Sequence, residues 1–137
     1  MEAERRMLFR QGAVFLLLAT LLGLTLAARA PHPAKWQAAH VTALLTGILL
    51  IALGGLWSEL RLTPATRRIA LRLGLTSSWT GTAANIYAAI VNLPGPASDP
   101  GRAPDAMWQL YVFFVFLAIV VPTTIAAFFL VWRGLRG

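Results

Sequence analysis

The chain has no cysteine among its 137 residues and only five carboxylates, Glu2, Glu4, Glu59, Asp99 and Asp105. The first absence removes disulfides, thiolate ligands and covalent C-x-x-C-H haem attachment. All five acids fall outside the apolar stretches or at their ends, so a paired-carboxylate site or a proton relay at membrane depth is unsupported. Charge of either sign is scarce, at 12% of residues against 58% hydrophobic, with a mean hydropathy of +0.68. A soluble domain of this size would need more polar surface. Histidine is also rare, with His32 in a Pro-His-Pro turn and His40 the other. Zinc needs three or four protein ligands, and a serine hydrolase needs an acid beside its base; one membrane histidine supplies neither arrangement.

Long uncharged runs are what the chain does have: Gln11 to Ala28, Trp36 to Ser58, Leu73 to Ser98 and Ala106 to Trp132. The last three exceed the roughly 20 residues that cross a bilayer. No run alternates as barrel strands do. The expectation is an all-α integral membrane protein, one domain over 1–137, as a four-transmembrane-helix bundle with helices near 8–28, 34–60, 66–93 and 105–133. A cleavable signal peptide is the rival for the first run, since Arg5, Arg6 and Arg10 precede it and Ala28-Arg29-Ala30 follows. The run is longer than a usual signal core, which favours a retained helix.

Of the twelve basic residues, nine share one side of such a bundle: Arg5, Arg6, Arg10, Arg61, Arg67, Arg68, Arg72, Arg133 and Arg136. Arg29, Lys35 and Arg102 fall on the other. The positive-inside rule then places both termini in the cytoplasm, as a multi-pass protein of a bacterial inner membrane. The net charge of +7 is mostly topological. Nothing interleaves basic and aromatic residues on a soluble face, so no nucleic-acid partner is expected.

His40 is the one histidine in an apolar run, and Ala43, Gly47 and Gly54 follow it along one helical face. Such a stripe either lets two helix backbones approach closely or leaves room for a flat ligand. Trp36, about 6 Å away along the helix, is expected as an interfacial anchor. The third helix carries Thr76, Ser77, Ser78, Thr80, Thr82 and Asn85. Its hydroxyls can return bonds to the preceding turn. Asn85 lies among Gly81, Ala84 and Ala88 in the same membrane half as His40, either as an interhelical hydrogen bond or as a site residue. Thr63-Pro64 reads as the cap and first turn of a short interfacial helix bearing Arg67, Arg68 and Arg72. Pro122 interrupts the fourth helix, Pro94 to Pro104 reads as an external loop, and Asp105 is placed to cap the helix after it.

One metal arrangement remains open to this inventory. A porphyrin brings four nitrogens, so a single axial imidazole, His40, suffices to hold iron with one open position. The commoner reading of a lone histidine is a satisfied structural one.

Several segments in order resemble the small four-helix bacterial membrane isomerases that include hydroxylaminobenzene mutase and styrene oxide isomerase. They are Arg5-Arg6-Met7-Leu8-Phe9-Arg10-Gln11-Gly12, Ala39-His40 with Gly47 seven residues on, and Gly81-Thr82-Ala83-Ala84-Asn85. Leu56-Trp57-Ser58-Glu59-Leu60 and Trp132-Arg133-Gly134-Leu135 look more like the mutase branch. The resemblance implies a homotrimer with haem b near subunit interfaces. His40 would be the axial iron ligand, Ala43, Gly47 and Gly81 would make room for the macrocycle, and Asn85 would orient substrate as the catalytic polar group. It implies a redox-neutral rearrangement of a small hydrophobic aromatic, either an aryl hydroxylamine to an aminophenol or an epoxide to an aldehyde. Trp79, Tyr87, Phe113, Phe114 and Phe116 would line a route from the bilayer. Three positions depart from the pattern: Gln11 replaces a histidine, Thr46 an asparagine, and Ala89 the tyrosine of the epoxide isomerases. The last departure points away from styrene oxide as the substrate. A haem-binding protein without turnover and a cofactor-free structural subunit are the readings from other classes.

Overall fold

The computed structural model describes residues 1–28, 30–93 and 107–136, and these form four helices and no strand. They are α1 (Glu2–Ala27), α2 (Pro33–Leu56), α3 (Pro64–Ile90) and α4 (Met107–Arg136), with a single 3-10 turn at Trp57–Glu59. The expected loop from Pro94 to Pro104 and the Asp105 cap lie outside the described residues. Each helix is antiparallel to the next. The start of α1, the α2–α3 connection and the end of α4 meet at one end, here called the basic end.

α1 buries Leu8, Gly12, Phe15, Ala19 and Leu22, and α2 buries Ala39, Ala43, Gly47, Leu50 and Gly54. Spacings of three and four repeat along both, which is the seam of two helices packed along their length. Glycine sets how close they come. A Cβ on Gly47 would stand 2.9 Å from the Gly12 carbonyl oxygen and 2.9 Å from Leu16, and one on Gly54 would meet the Phe9 ring at 3.1 Å.

The cap expected at Thr63 is present, its hydroxyl accepting from the Thr66 N–H at 3.2 Å, with Pro64 in the first turn. The separate short interfacial helix is not. α3 runs unbroken through Arg67, Arg68 and Arg72, because only Gly74 interrupts good helix formers there and a lone glycine is tolerated. Arg67 is buried, and its Nε donates to Glu4 Oε2 at 2.7 Å. The Trp57 indole N–H donates to the same oxygen at 3.2 Å. One carboxylate thus ties α1, the turn after α2 and α3 together. At the same end the Arg61 N–H donates to the Gly134 carbonyl at 2.9 Å, fastening α4 to the connection before α3.

Three helical segments, Glu2–Ala27, Pro33–Glu59 and Met107–Arg136, are long and apolar enough to cross a membrane. α3 has 27 residues, but its arginines and hydroxyls keep it below that composition. The expected four crossings are therefore met by composition in three helices. Pro122 leaves α4 continuous, with the Thr123 hydroxyl donating to the Ile119 carbonyl at 2.6 Å. Trp36, expected as an interfacial anchor, is half-buried against the core with its indole nitrogen occluded.

Candidate functional site

His40 projects from α2 onto α1. Its Nδ1 lies 2.7 Å from the Ala19 carbonyl oxygen, and its ring rests over Gly23, where an added Cβ would approach Cε1 to 3.2 Å and Nδ1 to 3.3 Å. A carbonyl only accepts, so Nδ1 carries the proton and donates. In a neutral ring of that tautomer Nε2 keeps its lone pair, and the hydrogen bond seen for this side chain among the described residues is the one at Nδ1. A histidine that ligates a metal through one nitrogen commonly donates the other to a carbonyl, which fixes tautomer and ring plane. Among the described residues no three side chains of ligand type cluster, so one imidazole is the ligand set at hand. It fits a group that brings its own equatorial nitrogens.

The stripe beside His40 has a different use from the one the resemblance implied. Ala43 is fully buried, and the face of Gly47 is filled by Gly12 and Leu16. A macrocycle cannot lie on that face while α1 is seated there. Of the two uses a small-residue stripe allows, close helix packing is the one realised at Ala43 and Gly47.

Asn85 stands on α3, where its Nδ2 donates to the Gly81 carbonyl at 3.0 Å. This is a bond within the helix, not the interhelical bond that was one of its two readings, and among the described residues no hydrogen bond reaches Oδ1. An added Cβ on Gly81 would rest 3.7 Å from Val120, so this stripe faces α4 without being crowded by it. His40 and Asn85 therefore belong to different faces, one turned to α1 and the other to α4. No cavity among those found in the described residues is lined by both.

The aromatic residues are partly accounted for by packing. Trp79 donates to Gln11 Oε1 at 3.1 Å and tilts against Phe15 with centroids 4.6 Å apart. Gln11, one of the three departures, thereby acquires a partner. Tyr87 donates to the Gln109 carbonyl at 3.3 Å and pairs with Phe116 at 5.9 Å. Ala19 and Gly23 were missed by sequence reasoning. Their signal was a pair of small residues four apart on α1, level with His40 once α1 and α2 are set antiparallel.

A sequence profile of the family described as styrene oxide isomerase matches residues 4–136, nearly the whole chain. The chain belongs to the styrene oxide isomerase family. That membership indicates an isomerase, and it agrees with the resemblance carried by the His40, Gly47 and Asn85 segments. No curated protein and no solved structure matches the chain.

Proposed function

We propose that this family member rearranges a small neutral aromatic molecule without net redox change, converting an aryl hydroxylamine to an aminophenol at a haem b carried by His40. The observation that carries the reading is the 2.7 Å bond from His40 Nδ1 to the Ala19 carbonyl, which fixes the ring and turns Nε2 to the ligand role. When bound, the haem iron supplies a Lewis acid for the departing heteroatom, in a site without carboxylates. Asn85 offers Oδ1 to an N–H or O–H of the substrate and so orients it. Gly81 keeps the face beside Asn85 shallow enough for a flat ring. Substrate and product are isomers, so no other reactant is consumed.

The two side chains sit on different faces of one chain, and a homotrimer, in which a neighbouring copy completes the pocket, is part of this proposal. So is the orientation, with both termini at the cytoplasmic face of a bacterial inner membrane. The basic end of the bundle supports it.

Opening of an aryl epoxide to an aldehyde is the second reading, favoured by the family's own description. Against it stands Ala89, which is 1% exposed and presents only a methyl where the epoxide branch has a phenol. Purified protein is expected to show an intense Soret band that His40→Ala abolishes. Hydroxylaminobenzene should yield 2-aminophenol, and Asn85→Ala should keep the Soret band while slowing turnover. Turnover of styrene oxide alone would replace the first reading by the second. An unchanged spectrum in His40→Ala would overturn the iron site.

A further inference from the structure

At the basic end, away from His40, an open groove of about 680 Å³ runs along α1, with Trp79 of α3 as its far wall. Glu2, Arg6 and Arg10 supply its charge, and Met7, Val14 and Trp79 its apolar surface. Beyond Arg10 the same face of α1 turns wholly apolar. Val14 is followed at three, seven and ten residues by Leu17, Leu21 and Leu24, which are 60–67% exposed. That stripe rises ten residues, about 15 Å, or half of the roughly 30 Å hydrocarbon core of a bilayer. Its length is that of one leaflet, with the arginines at the end where a head group lies.

The charge of the groove is not balanced within the chain. Glu2 is shared, its Oε1 accepting from Arg6 Nε at 3.1 Å while its Oε2 lies 3.9 Å from Arg5. Arg10 makes no ion pair or hydrogen bond among the described residues. It stands one turn from Arg6, and a helical side chain leans back over the preceding turn, so the two guanidiniums can grip one phosphate. Gln11 adds a neutral donor. The Trp79 indole N–H can only donate, so the amide turns Oε1 to it at 3.1 Å, and no hydrogen bond among the described residues uses Nε2. Two arginines, then an amide N–H, then an apolar stripe match the order of phosphate, ester carbonyl and acyl chain in a phospholipid.

We propose that this groove binds an anionic phospholipid, its phosphate between Arg6 and Arg10 and one acyl chain along Val14, Leu17, Leu21 and Leu24. A choline head group would bring its own cation to a mouth already in excess of positive charge, whereas a glycerol head group does not. A second copy of the chain is the other possible cover. The basic end carries nine arginines against three carboxylates, Glu2, Glu4 and Glu59, so a copy seated on this face would set like charges together at the mouth. That leaves other faces for the homotrimer proposed above. The inference does not rest on the reaction at His40.

The test uses the full chain in nanodiscs of phosphatidylcholine with a fixed minority of phosphatidylglycerol, the bromine being carried on the chains of the glycerol lipid or of an equal amount of the choline lipid. Trp36, Trp108 and Trp132 are changed to phenylalanine; Trp57 is kept, and being 2% exposed it leaves Trp79 to report lipid contact. Quenching is expected to be stronger from the brominated glycerol lipid. Arg10→Gln should lower that preference about five-fold, the share of one arginine near an anionic head group, and Arg10→Lys should restore part of it. Since Arg10 has no partner in the chain, the melting temperature should not move. Arg68→Gln removes the same charge from an exposed side chain at the same end, outside the groove, and should change the preference little. Equal quenching by the two lipids overturns the anionic head group. Equal losses in Arg68→Gln and Arg10→Gln overturn the site in favour of diffuse attraction, and quenching by neither lipid overturns lipid occupancy in favour of a second copy on this face.

Discussion

Between α1 and α2 an added Cβ at Gly47 would stand 2.9 Å from a backbone oxygen, whereas between α3 and α4 one at Gly81 would rest 3.7 Å from a valine methyl. Both glycines lie on small-residue stripes, and the sequence presents them alike. In the first pair the stripe is consumed by backbone contact. In the second it leaves slack. The same contrast appears in burial: 28% of the apolar window of α1 and of α2 is enclosed by the chain, against 6% for α4. α4 therefore has few fully enclosed residues, and its exposed apolar side chains, Phe114, Ile125 and Phe129 among them, face away from the bundle. The tight pair fixes the histidine; the loose pair is held by ordinary side-chain contact.

Substitution at equivalent glycines should break or sharpen this contrast. Gly47→Ala is expected to cost about 3 kcal/mol, because a carbonyl oxygen cannot step aside as a side chain can. Chemical denaturation in mixed micelles would measure it. Arg67→Ala, which removes the nearer of the two charged partners of Glu4 and leaves the N-terminal ammonium at 3.7 Å, should cost about 2 kcal/mol in the same assay. Gly23→Ala should lower haem affinity about ten-fold with little loss of stability, since the new methyl shifts the imidazole off the Ala19 carbonyl. Titration of apoprotein with haem, read at the Soret band, checks this. Gly81→Ala should change stability by less than about 0.5 kcal/mol, the contact being an ordinary one. A cost at Gly81 matching that at Gly47 would erase the distinction between the pairs.

The four helices and the shared end of both termini were legible because apolar runs and basic residues alternate along the chain with little ambiguity. The end points were less so. α2 closes in a 3-10 turn rather than continuing to residue 60, and α3 ends before Asn92, which takes a positive φ of 48°. Hydropathy is blind to such local backbone choices. His40 stood out as the lone ionisable group of its run, but its partner could not, since a backbone carbonyl leaves no mark in a sequence. The purpose of a small-residue stripe was equally hidden: Ala43 and Gly47 read the same whether the neighbour is a helix or a planar ring. Only the neighbour's position decides.

The carboxylate that joins Arg67 and the Trp57 indole has a bearing on how the chain is made. Glu4 is synthesised 63 residues before Arg67. At about 5–20 residues per second several seconds separate them. Until then α1 and α2 have only each other, and their close seam needs nothing downstream. The hairpin can zip first, with the ion pair closing behind it as the next helix arrives.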